Sequence, residues 1–408
     1  MSPSTLLVLN LPANILFGID LLSLSTSATF QGISEIPPGW HFIFTAATAS
    51  LSVRHGFWFQ TSKSRDTIIR KWDAKREEVV ESTRDEEELW KKRLGGSEEE
   101  GKINLLPYDQ LVSEGASSPQ DSWLGLTEHI TSRLLSRLTA GIFIITSTSC
   151  AAQDREEIPG LSREEIASVL GKGEGEGALE FLGIELGRTW REGAVGRERT
   201  EGARDRSWAL GDVIERNRGN ESALLPASEQ HEYNKWGHEV LGEMEVCFLM
   251  VLTLSNYSCL QEWKRILNLV LTSRAAIVQH PTFFSAFLGV LRIQLVRSDE
   301  VEGGLFDFTD TNDNIFLKKL LKSFKMTLEE TVEEDLEINK ASREEVMAEM
   351  KTLEDWVERE YGWNMSDSWV RRGMVRLEDG EEVEVEVEEG EGEDERGEYA
   401  PVIVDLGD

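Results

Sequence analysis

The chain has 408 residues, enough for two domains of ordinary size with linkers, and 40% hydrophobic residues can supply a core. Lys and Arg number 43 against 75 Asp and Glu, a net charge of -32; so acidic a surface repels phosphate backbones and excludes non-specific nucleic-acid binding, while a basic protein partner is attracted. Three scattered cysteines, Cys150, Cys247 and Cys259, make neither a disulfide framework nor a CxxC metal site, and they fit a reducing compartment.

The apolar N-terminus has no basic flank, since the first Lys or Arg is Arg54, and Pro12, Asn14 and Asp20 interrupt it. It therefore reads as folded chain and not as a signal peptide. The densest apolar run, Val246 to Leu252, falls far short of the ~20 residues a membrane span needs. A soluble intracellular protein is expected, with the sequons at Asn220, Asn256 and Asn364 unused.

Residues 4–80 carry short apolar runs (LLVLNL, HFIFTA, GFWFQ, TIIRKW) separated by turn residues at Pro12, Gly18, Gly32, Pro37-Pro38-Gly39 and Gly56. These predict strands of one sheet, curled into a sandwich or small barrel. In HFIFT, period two sends His41, Ile43 and Thr45 to one face and Phe42 and Phe44 to the other. Pro37-Pro38-Gly39 reads as a rigid turn. A charged helix follows over Asp85–Leu94. Leu126, Ile130, Leu134 and Leu138 recur every fourth residue, which predicts one helix over Ser122–Leu138 closing an N-terminal domain of residues 1–145.

Gly, Glu and Arg dominate residues 146–231, read as a partly disordered connection whose segment Arg206–Leu210 touches the N-terminal domain through Trp208. Helical periodicity fills residues 232–364. Glu239–Leu254 is apolar nearly all round and should be central. Stripes follow at Leu260, Trp263, Leu267 and Val270; at Phe284, Phe287, Leu288, Leu291 and Leu295; and at Phe316, Leu320, Phe324 and Leu328. Ser342 and Glu345 have capping-box spacing before Val346, Met350, Leu353 and Val357. Successive amphipathic helices of this kind make a bundle or short solenoid. Trp263 and Trp356 are placed as core residues. The fold class is thus α+β: a β-rich N-terminal domain, an all-α C-terminal domain and an acidic tail.

That tail spans residues 365–408. Within it, 381–387 (EEVEVEV) alternates as a strand would, but like charges on one face favour a solvated coil. Beyond Glu398 the composition changes to Tyr399-Ala400-Pro401-Val402-Ile403-Val404-Asp405-Leu406. Val402, Val404 and Leu406 share one strand face and Ile403 and Asp405 the other; Pro401 donates no ladder bond, so pairing starts after it. Pro401, Val402, Ile403, Val404, Asp405 and Leu406 are the candidate partner-binding residues, adding a strand to a sheet edge of another protein; the alternative is that they dock on this chain's own N-terminal sheet or stay loose.

No constellation calls for catalysis, a metal or a cofactor. GKGEGEG at 171–177 lacks the Ser or Thr of a phosphate-binding loop. Asp310–Asn314 starts like a calcium loop, but Ile315 stands where glycine is required and Leu321 where the bidentate Glu belongs. Cys247 reads as a small buried hydrophobe, His238 and His280 near the cysteines make no nucleophile pair, and His41 and His55, which could face each other across strands, lack a third group.

Five stretches in order carry a resemblance: Leu9-Asn10-Leu11-Pro12 with Phe17-Gly18-Ile19-Asp20; Phe30-Gln31-Gly32-Ile33 running into Ile36-Pro37-Pro38-Gly39-Trp40-His41-Phe42-Ile43; Arg54-His55-Gly56-Phe57-Trp58-Phe59 with Arg70-Lys71-Trp72-Asp73; Glu239–Met244 with Glu262–Leu269; and Ala400–Val404. Together they resemble the A1-cistron splicing factor family, assembly chaperones of the U5 snRNP. The resemblance implies a VHS-like C-terminal helix stack. It also implies a non-enzymatic protein that binds the large U5 scaffold protein, before the mature RNA helicase subunit takes its place, in cytoplasm and nucleus. The Gly- and Glu-rich 151–205 and the acidic block 378–396 depart from the pattern. A monomer is expected. The alternative is a helical adaptor in trafficking, against which the acidic charge argues.

Overall fold

The computed structural model describes residues 4–48, 52–62, 66–95, 103–111, 119–151, 178–218, 236–301, 311–334, 340–365, 370–376 and 382–388. The N-terminal region holds strands β1 (Ser4–Leu9), β2 (Leu16–Ile19), β3 (Leu22–Ser25), β4 (Gly32–Ile36), β5 (Gly39–Ala46), β6 (His55–Thr61), β7 (Thr67–Asp73) and β8 (Glu78–Glu81). Helix α1 (Arg84–Gly95), strand β9 (Leu105–Pro107), helices α2 (Pro119–Leu126) and α3 (Ser132–Leu138), and strand β10 (Ile144–Thr146) complete it. The strands form two five-stranded sheets, ordered β8-β7-β1-β4-β9 and β10-β6-β5-β2-β3.

The apolar runs expected in one sheet are therefore divided between two. β1 and β7 are parallel neighbours in the first, and β5 and β6 are antiparallel neighbours in the second. Leu6 and Val8, Phe17 and Ile19, Ile33 and Ile36, Ile43, and Phe57 and Phe59 meet between the sheets in one core. The outer faces are covered too. Leu7, Leu9 and Ile69 pack against Trp90 of α1, while Phe42 packs on Trp58, which meets Trp123 of α2 with the indoles 6.0 Å apart. Strands buried on both faces are near-continuous in apolar residues, which is why LLVLNL and HFIFT show so little alternation. The division of HFIFT into two faces holds: Ile43 is inside the sandwich and Phe42 outside. Pro37 and Pro38 make the step from β4 in the first sheet to β5 in the second.

The helix expected over Ser122–Leu138 is two. Thr131 breaks the run and caps α3, its side chain accepting from the Leu134 N–H. All four residues of the predicted stripe are nonetheless buried.

The helical region comprises α4 (Arg197–Arg204), α5 (Ser207–Asn217), α6 (His238–Leu254), α7 (Tyr257–Leu271), α8 (Arg274–Gln279), α9 (Pro281–Leu295), α10 (Thr311–Glu334) and α11 (Lys340–Tyr361). As expected, α6 is central, buried almost all round. In α10 the buried residues are Leu317, Leu321, Phe324 and Leu328, so the N-terminal half of its core stripe is one residue on from Phe316 and Leu320. Helix α11 starts at Lys340, which places Ser342 inside it instead of at a cap. Within the connection expected over 146–231, the described residues include α4 and α5. The Arg206 N–H bonds Thr272 O, Arg206 Nη1 bonds Asn268 and Thr272, and the Ala276 N–H bonds Ser207 Oγ. The start of α5 is thereby anchored to α7 and α8, and at its other end the Asn217 carbonyl accepts from Arg133 of α3. Residues 152–177 and 219–235 lie outside the described residues.

The chain through Leu353 forms one compact unit and the chain from Glu354 a second. In the second, strands β11 (Val370–Arg376) and β12 (Glu382–Glu388) pair antiparallel, with Arg372 opposite Glu386 and Arg376 opposite Glu382. The glutamate-rich stretch expected to be coil is a strand over Glu382–Glu388.

Candidate interaction site

The predicted partner-binding residues, Pro401, Val402, Ile403, Val404, Asp405 and Leu406, lie outside the described residues. The described residues show how the two regions of the first unit are joined, and what surface results.

The junction is polar and buried. Helix α3 lies on α6 because Gly242 lets it approach: a Cβ there would sit 2.5 Å from the His129 carbonyl oxygen and 2.8 Å from Leu134 Cδ2. Around this contact Arg137 Nη2 donates to Glu243 Oε2 at 2.7 Å and lies 3.4 Å from Glu239 Oε2. Glu243 Oε1 accepts the Leu182 N–H, and Glu245 accepts from both the ring and the backbone N–H of His129. Glu243 and Glu245 are fully buried. Burial pushes both carboxyls above their ordinary value, and the basic partners and N–H donors work against it. At the other end of α6, Arg54 Nη1 donates to Thr253 O, and Asn256 donates to Thr146 O and Ser149 O while capping α7. Asn256, one of the three sequons, is thus 1% exposed with its amide fully engaged. Replacing Gly242 with alanine should cost about 1–3 kcal/mol by overpacking, although alanine is the better helix former; a melting temperature equal to or above wild type would show that the close approach is not required.

Beside the junction runs an apolar ridge. Leu124, Ile142 and Ile144 are 45%, 46% and 43% exposed. Trp40 stacks on Phe143 with ring centroids 6.3 Å apart, and the Trp123 indole N–H donates to Trp40 O.

The chemistry-bearing residues weighed in the sequence do not converge. His41 stands opposite Phe59 and His55 opposite Thr45, so the two do not face each other. His41 instead joins a buried network missed in the sequence. Its Nδ1 lies 2.7 Å from Asp20 Oδ2 and its Nε2 2.8 Å from Pro37 O; Asp20 also accepts from the Tyr108 hydroxyl and the Phe42 N–H. Two acceptors on one ring call for imidazolium. Burial opposes its charge, but Asp20 and the two hydrogen bonds outweigh burial and raise the pKa above 6.5. Burial, with Asp20 adjoining, pushes the Tyr108 hydroxyl far up, so it remains a donor. A polar residue inside each of two apolar strand stretches, Asp20 and His41, was the available signal. Cys247 and Cys259 are buried, and burial together with the contact between them raises the Cys247 thiol well above its ordinary value; a nucleophilic thiolate is not what this setting favours. Among the described residues no group of three or more His, Cys, Asp or Glu is placed to hold a metal ion, and no helix is long and apolar enough to cross a membrane.

Two family profiles match the chain and together span most of it: the AAR2 N-terminal domain over residues 2–140 and the AAR2 C-terminal repeat region over residues 181–366. The chain belongs to the AAR2 family. Protein AAR2 homolog of Homo sapiens and that of Pongo abelii are each 27% identical over 348 residues, 79% of this chain and 82% of theirs. Protein AAR2 homolog of Caenorhabditis elegans is 28% identical over 142 residues, 35% of this chain and 36% of its own. AAR2 membership makes the chain a splicing-related factor. It also gives its motifs structural meaning. Asp20 and His41, from separate motifs, bond each other, and the stretch Glu239–Met244 holds Glu239, Gly242 and Glu243, at which α6 meets the N-terminal region.

Proposed function

We propose that this AAR2-family protein is an assembly and maturation chaperone of the U5 snRNP, acting without catalysis. In this reading it binds the large scaffold protein of the particle, excludes later subunits and then leaves. The observation that carries it is membership of the AAR2 family across both regions of the chain. The -32 charge supports it, because a basic, RNA-binding scaffold would be captured quickly and released in salt. The apolar ridge around Trp40 and Phe143 offers a folded contact surface, and Pro401–Leu406 a strand to add to the scaffold. The protein would be a monomer working in cytoplasm and nucleus.

The test is affinity purification of the tagged full-length chain and of a chain ending at Glu398, with mass spectrometry on both. The full-length bait should recover the U5 scaffold protein without its mature helicase. Loss of residues 399–408 should weaken that binding about ten-fold or more with the melting temperature unchanged. Recovery of no spliceosomal protein by either bait would overturn the chaperone reading; equal recovery by both would overturn the role of the tail.

A further inference from the structure

The two sheets have four edge strands, and three are closed in different ways. β8 carries glutamate at both ends, Glu78 and Glu81. β9 has three residues and ends in Pro107, which has no N–H to offer. On β10 the Thr146 N–H donates to Ser149 Oγ and the Thr146 carbonyl accepts from Asn256. Charge, proline and covering groups are the usual means of blunting an edge. β3, Leu22-Ser23-Leu24-Ser25, has no charge and no proline, keeps an unbroken register with β2 and, among the described residues, has no group bonded over its outer edge.

The hydrogen-bond alternation fixes which groups face out. The Asp20 N–H bonds Phe42 O, so β2 turns Leu16 and Gly18 toward β5 and leaves Phe17 and Ile19 for Leu24 and Leu22 of β3. The Thr26 N–H to Ile15 O bond continues the same alternation. Ser23 and Ser25, both exposed, therefore direct N–H and C=O away from the sheet. The edge is also held rigid. At one end is the two-residue turn Asp20-Leu21, its Asp20 carboxylate anchored by His41, Tyr108 and the Phe42 N–H. At the other, Thr26 Oγ1 donates to Pro12 O and accepts the Ile15 N–H. Leu22 and Leu24 are only partly buried and lie at the rim of the inter-sheet core, so an added strand with apolar residues at alternate positions would extend that core.

We propose that β3 is an acceptor edge for an extended strand supplied by a partner protein, with apolar and basic residues alternating along it. Charge decides between occupants: at -32 a second copy of this chain is repelled, whereas a basic segment is drawn in. The proposal does not depend on the identity of the U5 scaffold as partner.

The test uses the full-length chain and a fluorescein-labelled, end-capped nine-residue peptide of alternating valine and lysine, followed by fluorescence anisotropy. Saturable binding is expected, at least about ten-fold tighter than for the same peptide with glutamate in place of lysine. Ser23→Pro should weaken binding about ten-fold or more while leaving the melting temperature unchanged, because that N–H takes no part in the sheet and proline is tolerated at an edge. Ser23→Ala should bind as wild type does, since the main chain makes the contact. Amide exchange gives a second readout that needs no variant: the Ser23 and Ser25 amides should slow when the lysine peptide is added. No saturable binding, equal binding by Ser23→Pro, or amides already slow in the free protein would overturn the proposal. A wild-type dimer in sedimentation equilibrium that Ser23→Pro dissolves would overturn the choice of occupant.

Discussion

Asp20→Ala should lose about 3–5 kcal/mol of folding stability, the scale for removing one partner of a buried ion pair. The carboxylate is 1% exposed and serves the His41 ring, the Tyr108 hydroxyl and the Phe42 N–H together. Alanine leaves all three unmet and must also adopt the positive φ of 55° that Asp20 holds in the turn. Asp20→Asn keeps the turn and should lose less. The sign of the pH dependence follows from His41, whose pKa is raised in the folded protein. Its contribution is complete below 6.5, where the unfolded imidazole is also charged, and fades as the pH rises through the higher folded value. Urea denaturation of wild type and Asp20→Asn should therefore show a gap that narrows as the pH is raised from below 6.5. A gap that widens with pH would mean that His41 is neutral in the fold.

The second large effect belongs to the junction. Arg137→Ala leaves Glu243 fully buried without its cation and should also cost about 3–5 kcal/mol. Replacing the pair with apolar residues, Arg137→Met with Glu243→Leu, removes the stranded charge. That double variant should recover stability to within about 1–3 kcal/mol of wild type, the remaining loss being the Leu182 N–H, which would no longer have its acceptor. Both variants are read by the denaturation midpoint. A double variant no better than Arg137→Ala would show that the two side chains act separately.

The strands and the central helix were legible in the sequence because their signals are local. Short apolar runs between turn residues marked β1, β5, β6 and β7, and the nearly unbroken apolar surface of Val246–Leu252 marked α6 as central. The division of those strands into two sheets was not legible. β1 and β7 pair in parallel across some sixty residues of intervening chain, and nothing in either strand names its neighbour. The split between α2 and α3 was hidden for the opposite reason: Leu126 of α2, Ile130 between the helices, and Leu134 and Leu138 of α3 are all buried, so the period continues across the break before Thr131. At the candidate site, Glu239–Met244 stood out as a motif, but Arg137 and Leu182, which bond its Glu243, and His129, which bonds the adjoining Glu245, lie more than fifty residues away in the chain. Electrostatic pairing at that range leaves no periodicity to read. Like charges along 381–387 favour coil when that stretch is read by itself, and nothing in it names β11 as the strand it pairs with.

The junction between the sheets and α6 is made by side-chain contacts at both ends of that helix, from Arg137 and His129 at one end to Arg54 and Asn256 at the other. These contacts join residues far apart in the chain and fix how the two regions meet. A substitution at Gly242, Glu243 or Glu245 is therefore felt in both regions at once.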